Sequence, residues 1–462
     1  MTRQTEAVPL QFCCCRIHTS IRIFNHRDLF RTGGLSGSKL FHKGAGLPKL
    51  LLMIACIGLV SSTVFLLLAI AAAFRFRSAR QNFLYKARER HVRHPGVSLL
   101  KPLHGLEARL QENLESFFSQ DYADFEIIFG VRNSHDPALP LMKSIASRYP
   151  HVPVKSVICG EPDGANAKVS LLKRMISVAD KSYLVISDSD VHVSPDYLQQ
   201  VIRPLQDPEV GLVTCLYRGV AAGGFWSRLE ALGMSVEMQS GVLIAEMLEG
   251  MRFALGPSMA TRKEVLQAAG GFQALADYCA DDFVLGNKVH NSGKQVVLSS
   301  YIVEHMALNT SLRAALAHQL RWMKGSRFSR PKGHVGTGLT FAMPFGILAL
   351  VAGWLGGSTL LGLSLFAWAA LNRILLALVV GWGVTRDRQS LRLCWLYPVR
   401  DLCGFGLWVA SFFGTRVVWR GEIYKLTSGG KMVPAQRSAS SVASAAAASA
   451  SSSRAVAIDD FA

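Results

Sequence analysis

The sequence predicts an α/β domain held between membrane segments, and three observations carry that prediction. Short β-rich runs alternate with helical patterns across residues 97–330. A long uncharged stretch precedes this region, and others follow it. Half of the 462 residues are hydrophobic, a share that a soluble domain alone does not call for.

Residues 1–48 mix Arg, Lys, His, Gly and Ser without sustained periodicity and read as a poorly ordered extension. Leu50–Phe74 carries no charge and, at about 1.5 Å per residue, suffices to cross a hydrocarbon core of roughly 30 Å. It reads as a transmembrane helix, being longer than a signal peptide's apolar region of about 7–15 residues and far from the terminus. Arg75, Arg77, Arg80, Lys86, Arg88 and Arg90 follow it, against Lys39, Lys43 and Lys49 before it. The positive-inside rule therefore puts the next domain in the cytoplasm.

Within 97–330 the candidate strands are VSLLKPL, FEIIFGV, VKSVI, SYLVISDSD, GLVTCLY and QVVLSSYIV. LQENLESFFSQ and LPLMKSIASRY are helical by apolar spacings of three and four. Such a fold presents its active site at the carboxyl ends of the strands. Charge is absent again from Val335 to Asn372, and apolar character resumes over 374–384 and 393–418. Two or three further membrane segments are thus expected in 335–418, giving a multi-pass membrane protein. Pro398, Arg400 and Asp401 interrupt the last, which is expected to be broken, re-entrant or interfacial, because charge in a bilayer is costly unless paired. Residues 435–462 are Ala- and Ser-rich without periodicity and read as disordered.

The net charge of +18 suits nucleic acid, anionic lipid or a diphosphate. No zinc-finger spacing, RNA-binding aromatic motif or basic-zipper heptad is visible, so no nucleic-acid partner is expected, and basic residues flanking membrane spans account for the excess. The nine cysteines include no CxxC pair, which points to a reducing compartment without structural zinc.

Chemistry is concentrated in a few motifs. Asp188-Ser189-Asp190 ends an apolar strand, and two carboxylates one residue apart can hold Mg²⁺ or Mn²⁺ while leaving coordination sites for a diphosphate. A solvated loop or a helix cap is the plainer reading. Asp281-Asp282 opens a helical stretch after Gly270-Gly271, either as a general base for a lipid hydroxyl or as an acidic helix start. His318, Arg321 and Trp322, with Lys324 and Arg327 behind them, could hold diphosphate and sugar or simply anchor to the bilayer. Gly164–Lys168 offers a flexible turn whose Lys168 can reach phosphate, unless it is only a surface turn. Asp136 in GVRNSHDPA could accept hydrogen bonds from a uracil ring or ribose, or start a turn at Pro137. His305 is a lone histidine and is left outside the site.

In order, VSLLKPLHG, QDYADFEIIFGV, NSHDPA, GANAK, ISDSD, GLVTCLYRG, GPSMATRKEVLQAAGGF, ADDF and HQLRW resemble the inverting glycosyltransferase family that contains ceramide glucosyltransferase. The resemblance covers Val97 to about Arg327, and the flanking membrane segments agree with it. It implies a GT-A fold and a UDP-sugar donor, UDP-glucose or UDP-N-acetylglucosamine. Asp136 would contact the nucleoside, Asp188 and Asp190 would bind diphosphate through the metal, and Asp282 would be the base. Arg321 and Trp322 match the family's (Q/R)XXRW motif, whose first position is here His318. GVRNSHDPA, GLVTCLYRG and HQLRW also resemble a bacterial branch that glycosylates a hopanoid, so the implied lipid acceptor is ceramide or a hopanoid. A processive polysaccharide synthase and a catalytically silent lipid-binding protein are the rival readings.

Overall fold

The computed structural model describes residues 46–89, 94–419, 421–435 and 458–460. The expected extension before residue 46 lies outside them, as does the Ala/Ser tail apart from Ile458–Asp460.

The six expected strands form, as β1 (Val97–Pro102), β2 (Phe125–Val131), β3 (Val154–Ile158), β4 (Tyr183–Ser187), β6 (Val210–Ala221) and β8 (Gln295–Ala307), joined in chain order by the unexpected β5 (Val191–His192) and β7 (Ser258–Arg262). β9 (Arg416–Trp419), β10 (Glu422–Leu426), β11 (Met432–Pro434) and β12 (Ile458–Asp460) follow the helical region. One nine-stranded sheet has the order β12-β3-β2-β1-β4-β7-β6-β8-β5, and β9, β10 and β11 make a separate antiparallel sheet. β1 and β2 are buried along their whole length, as parallel strands covered on both faces must be, which is why they read as continuous apolar runs. Helix Leu110–Phe118 covers them with Leu110, Leu114, Phe117 and Phe118, a stripe at helical spacing.

β7 was not among the expected strands, because Ser-Met-Ala-Thr-Arg carries little β-branched or aromatic signal. Its hydroxyls are satisfied inside the sheet: Ser258 shares a 2.8 Å hydrogen bond with Tyr197, and Thr261 donates to the Gly211 carbonyl at 2.7 Å. β7 runs against β4 and β6, whereas β1 to β4 are mutually parallel and β6 is parallel to β8. The carboxyl ends of β1, β2, β3, β4, β6 and β8 therefore share one edge, where β7 begins.

Among the described residues two helices are long and apolar enough to cross a membrane, Gly46–Gln81 and Thr359–Trp382. The first contains the expected span. In the carboxyl-terminal region only one helix has that length, against the two or three segments expected. Met343–Leu355, at about 1.5 Å per residue, rises only about 20 Å. It doubles back on Thr359–Leu376, where Gly353 and Gly362 let the backbones touch: a Cβ on Gly353 would lie 2.9 Å from Gly362 Cα. The charges interrupting the last apolar stretch are paired. Asp401 accepts from the Ala342 and Met343 amides at 3.0 and 2.9 Å and from the Arg373 guanidinium at 3.2 Å, and Arg400 lies 2.8 Å from Glu237. Asp401 thus caps one membrane-region helix and ties it to another.

Candidate active site

Asp188-Ser189-Asp190 leaves β4 at the shared edge, and each acid meets a basic side chain. Lys168 Nζ, at the start of helix Ala167–Met175, is 2.5 Å from Asp188 Oδ1. Asp190 Oδ2 is 3.0 Å from His305 Nε2, brought across from β8. Beneath them Lys101, fully buried at the end of β1, donates to the Asp188 carbonyl at 2.6 Å and lies 3.7 Å from the Phe117 ring centroid. Burial lowers the Lys101 pKa to about 7 despite the opposing pull of Asp188 and Asp190. Burial likewise disfavours the Lys168 ammonium, but Asp188 and Asp281 outweigh it and hold Lys168 above the ordinary lysine range.

The acidic pair comes from helix Asp281–Asn291, far along the chain from the DSD motif. Asn166 connects it to the GANAK turn: its side chain caps Val169 N at 3.2 Å and donates to Asp281 Oδ1 at 3.1 Å and to the Tyr278 carbonyl at 2.8 Å. Asp282 Oδ1 accepts from the Phe283 amide at 2.8 Å. Gly256, just before β7, leaves room for the other oxygen, since a Cβ there would sit 3.0 Å from Asp282 Oδ2. Burial, then the neighbouring Asp281 charge, raises the Asp282 pKa to about 6, with Lys168 opposing. Burial also raises Asp281.

The HQLRW motif lies on helix Leu312–Ser329. His318 Nδ1 is 2.7 Å from Oε1 of Glu230, a buried acid that also accepts from Asn309 at 3.1 Å. The Trp322 ring lies 4.5 Å from His318 and 6.4 Å from His305, centroid to centroid, which links the motif to Asp190. The Arg321 guanidinium stands 5.3 Å from the Trp419 ring. Lys324 and Arg327 donate to the Arg416 and Ser411 carbonyls and hold the following chain.

Asp136 sits on the same edge, after β2, but its carboxylate is engaged with backbone. It accepts from the Gly105 amide at 3.0 and 3.2 Å and from the Ala138 amide at 2.9 Å, tying the loop after β1 to a helix start. Asp188, Asp190 and Asp282 thus lie around Lys168. His305 and Trp322 connect Asp190 to His318, Arg321 faces Trp419 instead, and Asp136 braces the loop after β1 at the same sheet edge. Lys101, Glu230 and His305 were not expected there. Lys101 had a signal, as the single charge in an otherwise apolar strand. Glu230 and His305 had none beyond their residue type.

Among the described residues no three His, Cys, Asp or Glu side chains converge as a self-sufficient metal cage. Asp190 Oδ1 is nevertheless buried and accepts no hydrogen bond from the described residues. A hard divalent cation sharing its shell between these carboxylates and a diphosphate fits that donor set.

The sequence matches glycosyl transferase family 21 over residues 51–432. Ceramide glucosyltransferase 1 of Caenorhabditis elegans is 25% identical over 349 residues, 74% of this chain and 74% of that protein. Ceramide glucosyltransferase 3 of the same organism is 24% identical over 345 residues, again 74% of each. Among solved structures, a mannosyltransferase from Pyrobaculum calidifontis in complex with GDP-Man and Mn²⁺ is 18% identical, with a TM-score of 0.41, covering 74% of this chain and 98% of that one. The match over most of the chain bears out the resemblance read from its motifs: this protein is a glycosyltransferase, and it belongs to glycosyl transferase family 21.

Proposed function

We propose that the protein is a membrane-bound, inverting hexosyltransferase that moves glucose from UDP-glucose to the hydroxyl of ceramide. The observation that carries the chemistry is the gathering of Asp188, Asp190 and Asp282 with Lys168 on one sheet edge. The named activities of the Caenorhabditis relatives support the sugar and the lipid. The two long apolar helices support a membrane protein, and Arg75, Arg77 and Arg80, following the uncharged stretch in the last turns of the first, support a cytoplasmic, GT-A-like catalytic domain in a multi-pass chain.

The donor diphosphate lies along Asp188, Asp190 and Lys168, with Arg321 and His318 on its far side and Asp136 holding the wall near the nucleoside. A divalent cation bound by Asp188 and Asp190 would supply charge neutralisation for the leaving diphosphate. The lipid hydroxyl enters beside Asp282. With a pKa near 6 that carboxyl is ionised at neutral pH yet more basic than an exposed aspartate, as a general base should be. Asp282 takes the hydroxyl proton, and the oxygen bonds to the anomeric carbon. The bond from that carbon to the diphosphate oxygen breaks in the same displacement, UDP leaves with the electron pair, and the anomeric centre inverts. Trp322, packed against His318, closes the sugar side against water.

The test is lipid mass spectrometry on membranes containing the protein, supplied with ceramide and bacteriohopanetetrol together with UDP-glucose and UDP-N-acetylglucosamine. Hexosylceramide is expected. An N-acetylhexosamine on the hopanoid alone would overturn the substrate assignment and keep the mechanism. A chain of sugars would favour a processive synthase.

A further inference from the structure

The edge of the main sheet orders the donor. Gly256, just ahead of β7, packs against Asp282, where the sugar reacts, and β4 leads into the carboxylates for the diphosphate, Asp190 being held by His305 of β8. On the opposite flank, over the ends of β1, β2 and β3, lies a small cleft of about 60 Å³ that opens to solvent. Its floor is apolar, with Leu103, Cys159 and Leu171. Its remaining wall comes from the small sheet beyond the last helix, through Trp419, Glu422 and Tyr424.

We propose that this carboxyl-terminal sheet, Arg416–Pro434, completes the nucleoside pocket of the donor site, with Trp419 and Tyr424 as the aromatic surface for the base. The inference rests on the nucleotide-sugar reading above. It follows from the order along the edge: with reaction beside the start of β7 and diphosphate at β4, the base lies on the other side of β4, over β1 to β3. A planar, weakly polar ring wants such an aromatic wall over an apolar floor. The wall is fixed on both sides. The Met432 amide donates to the Asp277 carbonyl at 2.7 Å, and the Cys279 amide donates to the Gly430 carbonyl at 3.0 Å, just ahead of Asp281-Asp282. Lys324 donates to the Arg416 carbonyl at 2.9 Å, and Arg321 stands over Trp419 itself. Val417, Leu426 and Met432 form a small core together with the buried Tyr424, and Trp419, Phe328 and Cys279 pack against it, so the ring of Trp419 lies on the same face of the small sheet as that core. The wall therefore touches both the loop bearing the base and the helix bearing HQLRW.

The experiment is calorimetric titration of the full-length protein in nanodiscs with UDP and, separately, with inorganic pyrophosphate. Trp419→Ala should weaken UDP about 5- to 150-fold, the effect of losing one base-aromatic contact, and leave pyrophosphate affinity unchanged. Trp419→Phe should restore most of the UDP affinity. Unaltered UDP binding by Trp419→Ala, or an equal loss of UDP and pyrophosphate, would overturn the proposal while leaving the donor reading intact. Absence of UDP binding by the unaltered protein would overturn both. A second measurement needs no variant: photo-cross-linking with 5-iodo-UDP should label the peptide containing Trp419 and Tyr424, and labelling confined to other peptides would refute the assignment.

Discussion

Replacing Asp282 with Asn separates catalysis from stability in a single variant. Its carboxyl is displaced from an ordinary value of 3.8 to about 6, and each pKa unit is worth about 1.36 kcal/mol, so its ionised form costs the fold up to about 3 kcal/mol at neutral pH. The sign follows from the direction. Because the folded pKa lies above the unfolded one, the fold is favoured while the carboxyl is protonated in both states, below about pH 4. That advantage is lost as pH rises through about 6. Asn is neutral throughout, so at pH 7.5 the variant should be the more stable by up to about 3 kcal/mol, several degrees in melting temperature. The gain should vanish near pH 4. Turnover should fall by about 10²- to 10⁴-fold, the usual contribution of a general base. In the unaltered enzyme, rate should climb with pH to a plateau above about 6. The assays are hexosylceramide formation by mass spectrometry and scanning fluorimetry of nucleotide-free protein, with chelator, at both pH values. Turnover within tenfold of the parent, or a thermal gain of equal size at pH 4, would refute the role and the burial argument respectively.

Asp190→Asn should remove the divalent-cation dependence of UDP binding, so that chelator lowers UDP affinity at least about tenfold in the parent and leaves the variant unchanged, as read by calorimetry. Equal sensitivity in both would exclude Asp190 as a ligand. Asp401→Ala leaves the buried Arg373 without its carboxylate and uncaps Ala342 and Met343, and should cost about 3–5 kcal/mol, measured as a drop in melting temperature in micelles. A loss under about 1 kcal/mol would mean the pair is not the tie between these helices. Gly286→Ala would set a Cβ 2.4 Å from the Ala254 nitrogen, which is backbone and cannot swing aside. It should cost about 1–3 kcal/mol and, by shifting the helix that begins at Asp281, lower kcat more than it raises KM. Unchanged kinetics would show that the helix start is held independently.

Much of this protein is determined within short windows of its sequence. Six of the strands, the first membrane helix and the DSD, GANAK and HQLRW motifs follow from local pattern, because burial on both sheet faces forces continuous apolar runs and strand ends gather polar groups. β7 escaped that reading, since its stability comes from Ser258 and Thr261 bonding to Tyr197 and the Gly211 carbonyl in other elements. The charges near Asp401 read as an interruption until Arg373, on another helix, supplied the partner that makes them cohesive. The site divides in the same way. Residue type identified Asp188, Asp190 and Asp282 as candidates, but their pairing with Lys168, Lys101 and His305, and the raised pKa of Asp282, required segments far apart in sequence to converge. Glu230 beneath His318 and the Trp419 wall had no local signature at all. A residue's own chemistry is written in its side chain, whereas its charge state and its partner depend on burial and distance, and those exist only once the chain has folded.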